Sequence, residues 1–182
     1  MKSFSFALIP IIGVLQAPPP FKPSASPVSD ALRTSLMSAT KNLVGSAESM
    51  PSDKYGFHPT PAQMTFGQLV VHIAQTNIAL CSGISGTAAP LTPAEMQKMN
   101  ATDPRDALVA AITRSFEYCT ESLAKLDDSR LAEEVTMFGR PAGLSRGAAI
   151  VILAADWADH YSTAASYLRL KDILPPSAQP KK

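Results

Sequence analysis

Histidine occurs three times in this chain, cysteine twice and tryptophan once, and charged residues make up only 17% of it. Each scarcity excludes something. The 16 Lys and Arg against 15 Asp and Glu leave a net charge of +1. The cations are scattered, so there is no electrostatic footprint for nucleic acid. Neither Cys81 nor Cys119 sits in a Cys-rich motif or a basic cluster, which argues against a catalytic thiol. No glycine-rich loop for phosphate is present, and no Ser-centred nucleophile elbow. Internal repeats and low-complexity tracts are absent. After the first dozen or so apolar residues no second long apolar run follows, so no transmembrane helix is expected.

The chain does have apolar residues in plenty: 46% of 182 positions, enough for one domain with a real core. Its 16 prolines fall mostly between periodic segments or near the ends, where they punctuate helices without breaking them. The N-terminus reads differently from the rest. Lys2 gives a short positive start, residues 4–15 are mostly apolar, and Ala17 is a small residue suited to cleavage. Residues 1–17 therefore read as a secretory signal peptide, with a cut near Ser24 to Ser26 as the other cleavage position and a disordered or packed N-terminal arm as the alternative reading. Residues 18–27, PPPFKPSASP, are a Pro-rich leader, and the product is expected to be secreted or periplasmic. In that compartment Cys81 and Cys119 are an even pair able to form one disulfide; in a reducing one they are two buried thiols.

Four long segments carry helical periodicity, and none carries sustained strand alternation. Residues 28–50 repeat Leu32, Leu36, Ala39, Leu43 and Ala47 at three- and four-residue steps, which stacks them on one face. Residues 66–83 open with a capping-box pattern, Thr65 before them and Gln68 in the first turn, and carry Phe66, Leu69, Ile73, Asn77 and Leu80 inward. A short helix is expected over 92–99. The third long segment, 103–126, has Pro104 at the favoured first position and a stripe of Leu108, Ile112, Phe116, Cys119, Leu123 and Leu126. Residues 127–144 break the period and fit a turn with a short extended stretch. The fourth segment, 145–171, aligns Ile150, Leu153, Trp157, Ala164 and Leu168, and 177–182 form a tail. Four amphipathic helices joined by substantial loops predict an all-α, four-helix bundle over residues 28–176.

With only three histidines, each one has to be accounted for. His72 lies at the margin of the second helix's apolar stripe. Asp156 and His160 are four apart on the last helix, so both project from one face and flank its stripe. Residues at such margins can converge where two helices meet and solvent enters. Imidazole nitrogen and carboxylate oxygen together suit zinc, nickel, iron or manganese, and three protein ligands leave a position for water or substrate. A plain helix-surface pair and a hydrogen-bonded core histidine are the competing readings. His58, before Pro59, reads as a turn residue. Trp157 and Tyr161 either pack in the core or wall a pocket, and Tyr167 and Arg169 read as structural. No catalytic residue is singled out.

The stretch KYGFHPTPAQMTFGQLVVHIAQ resembles the signature of the DinB/YfiT-like family, in which a Pro-containing lead-in precedes a helix bearing a single His. The stretch DWADHYSTAASYLRLKDILPP is similar to the family's last helix and its Pro-Pro end. The resemblance spans residues 28–176. It implies a four-helix bundle of unusual order and a divalent metal held by His72, Asp156 and His160, with Asp156 standing where many members have His. Some members transfer low-molecular-weight thiols or isomerise thiol adducts. Two functions follow as expectations: a metal-dependent hydrolase or thiol transferase acting on a small molecule, or a non-catalytic binding or stress-response module with a degenerate metal site. A homodimer through a helix face is the further partner expectation.

Overall fold

The computed structural model describes residues 22–137 and 140–180. The signal segment 1–17, the start of the leader and the last two residues lie outside the described residues.

Among the described residues there are five α-helices: α1 (Pro27–Ser49), α2 (Phe66–Ser85), the single-turn α3 (Pro93–Met96), α4 (Arg105–Leu123) and α5 (Arg146–Arg169). Their ends follow from local chemistry. At Thr65 the hydroxyl accepts the Gln68 N–H while the Gln68 side chain accepts the Thr65 N–H, so two orphan donors are satisfied reciprocally. Thr92 and Glu95 repeat the arrangement at α3. Gly86 stops α2 with φ of 77°, a left-handed conformation that glycine adopts without steric cost. Pro104 sits at the cap of α4 and not inside its first turn. The start of α1 is held from afar: the Asp128 carboxylate accepts the backbone N–H groups of Val28 and Ser29, each at 2.9 Å.

The long helices pack in the cyclic order α1–α4–α2–α5. Helices that follow each other across the long loops, α1 with α2 and α4 with α5, are therefore diagonal, which explains why neither connection is a tight hairpin. Asn77 meets Ser115 and Cys81 meets Cys119, so α2 and α4 run parallel. Arg33 reaches the carbonyls of Leu123 and Leu126 while Arg105 reaches those of Glu48 and Met50, so α1 and α4 run antiparallel. Every residue of the stripes expected for α1, α2 and α5 is buried, and in α4 only Leu126, beyond the helix end, is half-exposed. Each fully buried Leu, Ile or Phe contributes about 1.5–3 kcal/mol relative to exposure.

The fold is mostly helical, with one addition. Residues expected to hold a turn and a short extended stretch form an antiparallel hairpin, β1 (Glu134–Met137) with β2 (Arg140–Ser145). It lies against α2, where Thr136 and Met137 approach Gly83 closely. Part of the expected tail is docked as well: a 3-10 turn at Pro176–Ala178 rests on α1, and Ser177 exchanges hydrogen bonds with the Tyr161 hydroxyl. Among the described residues no helix is long and apolar enough to cross a membrane.

Candidate metal centre

His72 enters the site from α2, and Asp156 and His160 enter it from the facing, antiparallel α5. The two histidine rings stand 4.8 Å apart between centroids and tilt by 40°. His160 Nε2 lies 3.7 Å from Asp156 Oδ1, too far for a hydrogen bond. One ligand atom from each of the three residues lies within 4.8 Å of the other two. All three side chains are half-buried.

Two atoms of this group have no conventional role. Asp156 Oδ2 and His160 Nε2 are shielded from solvent and have no hydrogen-bond partner. An idle buried carboxylate oxygen or ring nitrogen is costly, and coordination to a cation removes the cost. Burial, and after it the neighbouring His160 imidazole, hold His72 below the usual histidine pKa, with Asp156 pulling the other way. His72 is thereby kept neutral, the form that donates a lone pair to a metal. Bonds of about 2.0–2.2 Å would place ligands of one ion about 3–3.5 Å apart. Closing the group onto an ion therefore needs side-chain rotations on the order of 1 Å, within what unpinned side chains supply. The residues present fit a divalent cation with two nitrogens and one oxygen.

An open cleft of about 500 Å³ adjoins the group, bordered by His72 and Asp156 and by Gln75, Thr76, Met96, Met137 and Ile152 among others. Gln75 donates to the Met96 carbonyl at 2.8 Å and so fastens α3 at the cleft's edge. The wall is mainly apolar, and among the described residues its only titratable members are His72 and Asp156.

Residues 36–164 match the family model described as DinB superfamily. The chain belongs to the DinB superfamily. A DinB-like protein from Bacillus cereus has a similar structure, with a TM-score of 0.63 at 14% identity over 84% of this chain and 97% of that one. A DinB-like protein from Bacillus subtilis gives a TM-score of 0.62 at 19% identity over 83% and 99%. At those identities the likeness concerns the fold. No curated protein sequence matches the chain.

Within this DinB fold the remaining candidates fall into structural roles. His58 is exposed in its loop, with Nδ1 2.7 Å from the Thr60 carbonyl. Trp157 is buried, and its Nε1 donates to Asn77 Oδ1. Neither Trp157 nor Tyr161 borders the cleft, but both line a separate hollow of about 370 Å³ between α5 and α1, so the pocket-wall expectation holds there and not at the metal centre. The Tyr167 hydroxyl donates to the Met64 carbonyl, and Arg169 is exposed. Cys81 and Cys119 form a disulfide, with Cα atoms 5.3 Å apart, that ties α2 to α4. Sequence reasoning missed the cleft-lining Gln75, Met96 and Met137. The Thr92–Glu95 capping box was the available signal, since it fixes where α3 ends beside α2.

Proposed function

We propose that this protein is an exported, metal-dependent enzyme acting on a small molecule, a hydrolase or a thiol transferase. The observation that carries this reading is the idle pair of buried atoms, Asp156 Oδ2 and His160 Nε2, beside His72 at the edge of a cleft. Zinc, nickel, iron or manganese suits two imidazoles and a carboxylate. A bound ion would supply Lewis acidity and lower the pKa of a coordinated water or thiol.

The chain's own residues have the other tasks. His72, Asp156 and His160 hold the cation and leave positions open on the cleft side. Met96, Met137 and Ile152 offer an apolar wall to the body of a substrate, while Gln75 and Thr76 offer neutral hydrogen-bonding groups. The Cys81–Cys119 disulfide supports an oxidising compartment, and residues 1–17 supply the export signal for it.

Elemental analysis of wild type and His160→Ala, both expressed into the periplasm, tests the reading. About one equivalent of a divalent metal in wild type and a clear loss in the variant are expected. Equal metal content in both would refute it. Turnover in a panel of small esters, amides and thiol acceptors should then disappear on chelation. Among the described residues the cleft wall carries no acid or base besides His72 and Asp156, which favours a second reading, a metal-binding module without catalysis. Full metal content with no turnover across the panel would select it.

A further inference from the structure

Arg146 opens α5 about 15 Å from Asp156 along the helix, at about 1.5 Å of rise per residue. Its side chain is only 5% exposed. A guanidinium carries five N–H donors and stays charged at any pH a protein survives. Here Nη2 reaches Glu133 Oε2 at 3.3 Å, while Nε and Nη1 are shielded from solvent and have no acceptor. Those two nitrogens hold most of the group's donors. Glu133 does not neutralise Arg146 alone, because the same Oε2 lies 2.7 Å from Arg130. A buried charge with idle donors is destabilising unless something completes its shell.

The same arginine borders a second pocket, of about 440 Å³, between the C-terminal ends of α2 and α4 and the start of α5. Lys125, Arg130, Ser122 and Tyr118 face it, as do Glu121 and Asp127. We propose that this pocket binds the carboxylate of a small organic acid, with Arg146 as its anchor. The planar fork of a guanidinium matches a carboxylate, and such charge-assisted bonds are about twice as strong as neutral ones. The cations Lys125, Arg130 and Arg146 of the lining are matched by Glu121 and Asp127 beside them and by Glu133, which lies outside the lining and pairs with Arg130 and Arg146. There is accordingly no surplus positive charge for a phosphate dianion, and a monoanion is favoured. The Tyr118 and Ser122 hydroxyls already donate to the Thr87 and Cys119 carbonyls, so toward the rest of the ligand they serve as acceptors. The volume suits a small molecule. This site is independent of the metal centre and does not rest on the enzymatic reading.

Acetate is the probe. The Nε–H resonance of Arg146 is followed in isotope-labelled, full-length mature protein while acetate is added, with phosphate and chloride as parallel arms. A saturable shift with acetate is expected, with little response to chloride. Arg146→Gln should abolish the acetate-dependent shifts of the Ser122 and Tyr118 amides. Arg146→Lys keeps the charge without the fork, and should weaken acetate at least about tenfold. Metal content should be the same in all three proteins, which separates this site from the other. Tighter binding of phosphate than of acetate would overturn the carboxylate assignment. Absence of a saturable shift in wild type, or unchanged affinity in a folded Arg146→Gln protein, would overturn the site itself.

Discussion

Trp157 Nε1 donates to Asn77 Oδ1 at 2.7 Å inside the core, joining α5 to α2 between the metal centre and the disulfide. The same amide donates to Ser115 Oγ on α4 at 3.0 Å, and Ser115 in turn donates to the Ile112 carbonyl. One side chain therefore links three helices, and two of them carry the candidate ligands.

Asn77→Ala would leave the Trp157 N–H without a buried acceptor and the Ser115 hydroxyl without a donor, and would open a small cavity. The expected loss is about 2–4 kcal/mol in urea unfolding of the metal-free protein. Because the bond fixes how α2 faces α5, metal affinity should fall about tenfold as well. A variant that lost stability but titrated metal like wild type would show that His72 and Asp156 do not depend on this bond for their geometry.

The disulfide gives a second stability prediction. Cys81 and Cys119 are separated by 38 positions, for which the chain-entropy model gives about 4 kcal/mol, at the upper end of the usual range of about 2–4 kcal/mol. Both sulfurs are fully buried, so reduction should require unfolding. Oxidatively expressed protein should show no titratable thiol in denaturant and two after reductant is added. Replacing both cysteines with alanine should lower the urea midpoint correspondingly.

How much of this was legible in sequence depends on what signal each feature leaves. The helices were legible because a buried stripe on a helix repeats every three or four residues, and because Thr65 with Gln68 and Thr92 with Glu95 are local patterns. The convergence of His72 with Asp156 and His160 was approachable for the same reason, since stripe margins on facing helices meet. The hairpin was not, because only Val135 of β1 is buried and an exposed four-residue strand leaves no alternation to read. Asn77 read as one member of a stripe, and its two partners lie on helices that sequence spacing cannot bring together. Arg146 carried no mark of burial at all, since its partner Glu133 is 13 residues away across the hairpin, beyond any local pattern.

Tyr55 supplies a pH prediction. Its ring is buried against Phe66, its hydroxyl donates to the Ala47 carbonyl at 2.7 Å, and burial pushes its pKa up to about 12 from the usual 10. The folded state thus favours the neutral phenol. Its stabilising effect is fully present below pH 10, where the unfolded chain is also neutral. It is lost as pH rises from about 10 to about 12, because the unfolded chain ionises first. Unfolding free energy should decline across that window, and Tyr55→Phe should flatten the decline while costing about 1 kcal/mol at neutral pH. An equally steep decline in Tyr55→Phe would assign the effect to other groups.

Asp156 separates stability from metal binding most cleanly. Its Oδ2 is buried with no protein partner and its Oδ1 is 3.7 Å from His160 Nε2, so the carboxylate makes no hydrogen bond to the rest of the protein that folding needs. Asp156→Asn keeps the shape and removes the charge. Metal-free Asp156→Asn should therefore melt within about 0.5 kcal/mol of wild type, or above it. An amide oxygen is a much weaker ligand than a carboxylate, so metal affinity should drop at least about tenfold, equivalent to about 1.4 kcal/mol. The rise in melting temperature that added metal gives wild type should shrink accordingly, since that rise reports binding to the native state alone. Melting curves of both proteins with zinc and with chelator measure all three quantities. A metal-dependent rise as large in Asp156→Asn as in wild type would remove Asp156 from the ligand set and leave two histidines, too few to hold an ion at the cleft.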